Sequence, residues 1–231
     1  TAVGQINHGG PEAVIDGEQG LAVAKLNLDA GKRAIIMCDF FSAYSFFDCG
    51  ISYLRKGHWR DHYDLSLELF NLASKCAFMN AEYTSLKLLN AQIMRYAKCF
   101  EDKLPAILIS VTLLTWSGKV SEAIKVMTNT LANLGEEPPA KITSSLLKRK
   151  MKSTNEKLDR LSEEALLAYH VMENPMKIMA MELLVKLSEN YTFSGDTALL
   201  PFISMKMIEI SLKHGMGPLS PIAFAQYSNY L

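Results

Sequence analysis

The sequence predicts an all-α fold made of stacked helical hairpins. Through most of the chain, apolar residues recur at intervals of three and four, which is the period of a helix that buries one side. Alternation at period two, the pattern of a half-buried strand, never persists beyond a few residues. Three times an apolar run reaches a short turn and a second amphipathic run follows. These turns are Ala30-Gly31-Lys32, Asn80-Ala81-Glu82 and Ser117-Gly118-Lys119.

The N-terminal part is predicted to contain an irregular segment and the first hairpin. Residues 1–20 are rich in glycine and polar residues, so we predict an irregular N-terminal segment there. A helix that begins at Leu21 is predicted to end at Gly31, because glycine readily adopts the left-handed conformation that closes a helix. The return helix is predicted over residues 34–54, with Gly57 as its stop.

The second and third hairpins have broader apolar stripes. One extends from Tyr63 to Ala97 and the other from Leu104 to Leu134. Because a single hairpin cannot bury both of its faces, each stripe requires a neighbouring hairpin. Residues 21–135 are therefore predicted to form three stacked hairpins.

Prolines divide the second half of the chain. Pro138 and Pro139 cannot continue a helix, so residues 136–147 are predicted to form a linker. Continuing helical repeats, truncated at the C-terminus, are predicted over residues 148–231. They comprise a basic helix from Lys148 to about Ala168, an apolar helix from Met176 to Tyr191 that Asn174 and Pro175 begin, a helix over 199–212 that closes at His214-Gly215, and a last block from Pro218.

Composition narrows the class of protein. Basic and acidic residues number 24 each, so the formal net charge is zero and gives no overall footprint for nucleic acid. The longest apolar run, 104–116, is shorter than the ~20 residues that a membrane helix needs. The four cysteines lack CxxC spacing and no signal segment precedes them, so we expect buried free thiols in a cytoplasmic protein. A start at Thr1 and a stop within an apolar run suggest a piece of a longer polypeptide.

The order of residues also resembles a known family. The turns recur at intervals of about 50 and 37 residues, less regular than the ~34 of tetratricopeptide repeats, so the solenoid is degenerate and tetratricopeptide-like. The chain resembles the helical-repeat region of large signalling ATPases over nearly its whole length. The segments that carry the resemblance include Gln5–Gly9, Leu26–Ala34, Ala77–Glu82, Ser121–Ile124, Leu134–Pro139 and Ser211–Gly215.

The resemblance implies a role and no chemistry for this chain. In that family a P-loop ATPase domain, of the origin-recognition AAA type or the STAND type, precedes the repeats, and many members add serine/threonine kinase or GAF and histidine-kinase modules. ATP and Mg²⁺ would bind in those domains of the parent protein. Neither the GxxxxGK[ST] loop nor the kinase motifs occur here. The sequence therefore predicts no catalytic, cofactor-binding or metal-binding residue, and no cofactor.

One segment has the spacing of a chemical site. His58 and His62 stand at i and i+4 with Asp61 between them, a spacing that a helix can use for zinc. The glutamate of the HExxH motif is missing and no third ligand is evident, so we interpret them as solvated histidines near a helix start. Trp59 is predicted to be a packing anchor between hairpins.

Four other features have simple structural interpretations. Gly215-Met216-Gly217 is predicted to be a turn, since no strand precedes it. Asn190-Tyr191-Thr192 fits a glycosylation sequon, but the chain shows no secretory signal. The basic cluster Lys148–Lys152, continued by Lys157 and Arg160, is followed by acids and is predicted to be a salt-bridged helix face, with a partner-docking patch as the alternative. The methionines are predicted to fill the core, with an adaptable binding groove as the alternative.

These observations predict a non-catalytic interaction or sensor arm of a multidomain signalling ATPase. Its partners would be proteins or flanking domains of the same polypeptide, with no nucleic acid and no membrane. One alternative is a helical enzyme domain with a site of scattered residues, which would bring His58, Asp61 or His62 together in a closed pocket with perturbed pKa values. Another is a passive spacer with a shallow polar face.

Overall fold

The protein is all-α in a computed structural model that describes residues 2–13, 16–139 and 142–231, apart from the side chains of Glu163 and Leu167. No strand occurs in these residues, where an isolated backbone bridge joins Val171 and Met216. Two short 3₁₀ helices, Pro11–Ala13 and Glu101–Lys103, accompany thirteen described α-helices. These are α1 (Ala2–Gly9), α2 (Gly17–Ile36), α3 (Phe40–Ser52), α4 (His58–Asp61), α5 (Tyr63–Met79), α6 (Tyr83–Tyr96), α7 (Leu104–Trp116), α8 (Val120–Asn133), α9 (Ser144–Leu158), α10 (Glu163–Leu167), α11 (Pro175–Ser194), α12 (Leu200–His214) and α13 (Ser220–Ser228).

The described chain divides into two compact units after Ile109, within α7. In the N-terminal unit α2 packs on α3, α3 on α5 and α5 on α6. The third predicted hairpin therefore crosses this division. In the C-terminal unit α8 packs on α11, α11 on α12, and α12 on both α9 and α13.

The predicted first turn is wrong. Helix α2 continues through Gly31 to Ile36, and the chain turns at Met37-Cys38-Asp39. Asp39 begins α3, since its Oδ1 accepts a hydrogen bond from the backbone N–H of Ser42 at 3.0 Å. Gly31 instead lies buried against α3, where an added Cβ would stand 2.4 Å from Cε1 of Phe47.

The other two predicted turns are confirmed. Helix α5 ends before Asn80-Ala81-Glu82, with Ala81 at a φ of 60°, and α7 ends before Ser117-Gly118-Lys119, with Gly118 at a φ of 73°. A hydrogen bond from Nδ2 of Asn80 to the carbonyl of Phe40 joins the second of the N-terminal turns to the first.

The prediction of an irregular segment over residues 1–20 is wrong. Helix α1 forms there, and α2 already begins at Gly17. The side-chain amides of Asn7 and the buried Asn27 bond to each other at 2.8 and 3.0 Å, and the hydroxyl of Tyr53 donates to the carbonyl of Ile6. Of the predicted segment, residues 1, 14 and 15 lie outside the described residues.

The predicted break after α8 is confirmed, whereas the predicted length of the basic helix is wrong. Gly135 follows α8 at a φ of 71°, and the described part of the predicted linker is not helical until α9 starts at Ser144. Residues 140 and 141 of that linker lie outside the described part. Helix α9 ends at Leu158, ten residues before the predicted end near Ala168. Ser162 then caps a separate helix, α10, because its Oγ accepts from the N–H of Ala165.

The predicted start and end signals of the last helices are confirmed. Oδ1 of Asn174 accepts from the N–H groups of Met176 and Lys177 at the start of α11. Gly215 closes α12 at a φ of 104°, where an added Cβ would stand 2.7 Å from the backbone of Met172. The predicted turn at Gly215-Met216-Gly217 is wrong. Met216 forms the backbone bridge with Val171, since its N–H donates to the carbonyl of His170 and its carbonyl accepts from the N–H of Met172, and the turn follows at residues 218–219.

Candidate interaction cleft

The four-residue helix α4 separates two clefts of the N-terminal unit. Gly57 precedes it at a φ of 90°, a conformation that glycine adopts without strain. The Tyr53 cleft, of about 240 Å³, is lined by Gly17, Leu21, Tyr53, Leu54, Arg55, Lys56, His58, Asp61 and His62. The Tyr96 cleft, of about 580 Å³, is lined by Lys56, Gly57, His58, Trp59, Arg60, Gln92, Tyr96 and Lys98. Lys56 and His58 line both.

Trp59 is a packing anchor, as predicted, but its aromatic contacts join α4 to α5 and α6, which form one hairpin, and not two hairpins to each other. Its ring is stacked on Tyr96 at 5.5 Å between centroids, and lies 5.0 Å from Phe70 and 6.1 Å from Tyr63. The side chain is buried, and among the described residues its Nε1 has no hydrogen-bond acceptor. A buried N–H group without a partner costs about 1–3 kcal/mol, which the aromatic packing must offset.

His58 contacts the buried hydroxyl of Ser66. Nδ1 of His58 and Oγ of Ser66 are 2.8 Å apart, and the same hydroxyl lies 2.8 Å from the carbonyl oxygen of His62 and 3.2 Å from that of His58. Burial, and then the neighbouring His62, lower the pKa of His58, so the imidazole is neutral at pH 7.

The prediction of two solvated histidines is therefore wrong for His58 and confirmed for His62, which is exposed. His58 is half-buried, and its ring is stacked on Phe70 at 5.8 Å. Within the described residues, no group of three or more His, Cys, Asp and Glu side chains has the geometry to hold a metal ion.

The Tyr53 cleft brings together His58, Asp61 and His62, the arrangement that an enzyme site would require. The side chain of Asp61 is held by Arg60, from Nε at 2.7 Å and Nη2 at 3.0 Å. This hydrogen bonding lowers the pKa of Asp61, whereas a carboxylate that works as a general acid near neutral pH needs a raised pKa. Ser66 is fully buried and does not line the cleft.

The Tyr96 cleft combines basic and aromatic side chains. Lys56, Arg60 and Lys98 line it, and no carboxylate does so among the described residues. Nζ of Lys98 lies 4.0 Å from the ring centroid of Tyr63, whose hydroxyl donates to Asp102 and accepts from the backbone N–H of Lys98. The same residues thus hold the end of α6 and its following loop against α5.

Sequence reasoning missed this cleft. Its cations come from the segment before α5 and from the loop after α6, so no run of basic residues marks it in the sequence. The basic cluster that the sequence did show, Lys148–Lys152, behaves differently. Its Lys150 pairs with Glu209 of α12 at 2.6 Å, so the salt bridge joins two helices instead of stabilising one helix face.

The remaining sequence features have structural roles. Asn190 of the sequon is buried, with Nδ2 donating to the carbonyl of Lys186 and Oδ1 accepting from Thr115, so its amide is not presented for glycosylation.

Met172 and Met181 are buried in the core, as predicted, and Met176 and Met179 are half-buried. The predicted burial of the cysteines is right for Cys76 and wrong for Cys38 and Cys99, which are exposed, while Cys49 is half-buried.

Known proteins do not identify a family for this chain. Comparisons with protein-family models, with curated proteins and with solved structures found no match to this chain. Across the described residues, no helix combines the length and apolar character that crossing a membrane requires.

Proposed function

We propose that this chain is a non-catalytic protein-interaction arm and that its partner docks at the Tyr96 cleft. The observation that carries the proposal is an exposed basic and aromatic surface built on a rigid stack. Trp59 is buried, whereas Tyr96, stacked on it, is 39% exposed, and Lys56, Arg60 and Lys98 surround the pair. Aromatic and arginine side chains at a surface are typical anchors of protein interfaces.

A degenerate tetratricopeptide-like solenoid belongs to the same proposal. It is supported in the N-terminal unit alone, where the consecutive long helices pack in order: α2 with α3, α3 with α5 across the short α4, and α5 with α6. Repeat arrays have this nearest-neighbour packing. Placement of the arm in a signalling ATPase rests on the sequence resemblance alone.

Site-specific photocrosslinking in cells of the source organism tests the proposal. A benzophenone amino acid at position 92, inside the Tyr96 cleft, is compared with one at position 87, an exposed site on the same helix that does not line the cleft. We expect a discrete protein adduct from position 92, lost when Lys98→Glu is added, and none from position 87. Equal adducts from both positions, or none from position 92, would contradict docking at this cleft.

A further inference from the structure

We infer that the occupant of the Tyr96 cleft is an acidic peptide segment of a protein partner, with carboxylates that meet Lys56 and Lys98 and an apolar side chain that rests on Tyr96. This inference deepens the proposed function and depends on it.

The charges of the cleft are not neutralised from within. Neither Lys56 nor Lys98 has a carboxylate within ion-pair distance among the described residues, and Lys98 instead lies over the ring of Tyr63. Arg60 is the exception, because its guanidinium is held by Asp61. Two exposed ammonium groups beside a hydrophobic ring complement a ligand that alternates negative and apolar groups.

The size of the cleft fits a short segment of chain. Its volume of about 580 Å³ accommodates a few side chains. The stack with Trp59 holds the ring of Tyr96 in place, and the guanidinium of Arg95 lies 5.2 Å from its centroid, so the exposed part of the ring supplies an apolar surface with a further cation beside it. A peptide could therefore bind without rearrangement of the cleft.

Nucleic acid fits these observations less well. Phosphate-backbone binding needs several cations spread along a path. The cations here, Lys56, Arg60 and Lys98, are confined to one cleft of about 580 Å³, which favours a short ligand segment over an extended phosphate chain.

Fluorescence anisotropy with the full chain tests the inference. The probe is a fluorescein-labelled peptide of sequence EEFEELEE, and its charge control is QQFQQLQQ. We expect Lys56→Glu combined with Lys98→Glu to weaken EEFEELEE binding by about tenfold or more, because each change replaces an attraction by a repulsion. The matched control Lys87→Glu, also exposed and on α6, should leave the affinity unchanged.

Other outcomes would overturn the inference. Equal affinity for EEFEELEE and QQFQQLQQ would remove the role of charge. An unchanged affinity in the double variant, with far-UV circular dichroism showing an intact fold, would place peptide binding elsewhere. Tighter binding of labelled oligothymidine through the same two lysines would assign the cleft to nucleic acid. If no acidic peptide binds while position 92 still crosslinks to a protein, the acidic ligand is wrong and the proposed function stands.

Discussion

Glu136 acts at the scale of a single residue to hold the C-terminal unit together. Its side chain is 9% exposed, and the carboxylate accepts hydrogen bonds from Lys177 of α11 at 2.5 Å and from Lys206 of α12 at 2.6 Å. Burial raises the pKa of this carboxyl, but the two lysines together lower it more, so the net shift is downward. One carboxylate thus ties the end of α8 to two helices that follow much later in the chain.

Glu136→Gln should destabilise the C-terminal unit by about 3 kcal/mol, because two largely buried lysines lose the counter-charge that they share. Urea unfolding followed by circular dichroism measures this loss. The wild-type contribution exists above the unfolded pKa of about 4.3 and disappears as the pH falls through the lower folded pKa. The variant should lack that acid-dependent loss. Glu137→Gln, at the exposed neighbouring position, should change neither quantity, and equal effects of both variants would refute the role of Glu136.

His58 predicts a loss of stability on acidification at a higher pH than Glu136 does. Its folded pKa lies below the unfolded value, so the unfolded chain binds more protons and stability falls as the pH drops below about 6.5. His58→Asn keeps a polar side chain beside Ser66 but removes the group that titrates, so the decline between pH 7 and 5 should become shallower. Denaturant midpoints measured across this range test the prediction. An identical decline in the variant would assign it to other groups.

At the scale of the element, Gly31 shows why a glycine is ambiguous in a sequence. Glycine both ends helices and permits close helix crossing, and the same letter serves each purpose. The prediction for Gly118 is correct, since α7 ends at Trp116 and Gly118 has a φ of 73°. Gly31 lies within α2, and only the position of Phe47 on α3 decides its role.

Gly31→Ala should destabilise the N-terminal unit by about 2 kcal/mol. The new Cβ would stand 2.4 Å from the fully buried ring of Phe47, and this overpacking outweighs the better helix propensity of alanine. Gly17→Ala is the matched control, because its Cβ would meet Arg55 at an ordinary 3.5 Å. Thermal unfolding of both variants provides the comparison. Adding Phe47→Leu to Gly31→Ala should recover part of the loss, and a stabilised Gly31→Ala protein would show that α2 and α3 do not cross this closely.

At the scale of the whole molecule, the sequence predicts secondary structure, which depends on neighbouring residues, and misses sites whose residues are far apart in the chain. The all-α class follows from a period of three to four residues, which any short window contains. The Tyr96 cleft does not, because Trp59 and Lys98 meet only after α5 and α6 fold back on each other. The net charge also fails to reveal this cleft. The formal total of zero is a sum over the whole chain, whereas a ligand responds to the cations within one cleft.

The salt dependence of peptide binding follows from this local charge. Raising the ionic strength from about 10 mM to about 1 M shortens the screening length from about 30 Å to about 3 Å. Binding of EEFEELEE to the full chain should therefore weaken steadily with added NaCl, although the chain has no net charge to screen. The double variant of Lys56 and Lys98 should show little residual dependence, while Lys87→Glu should retain the wild-type slope. Salt-independent binding would indicate that contact with the apolar surface of Tyr96 dominates, and that the two lysines do not select the partner.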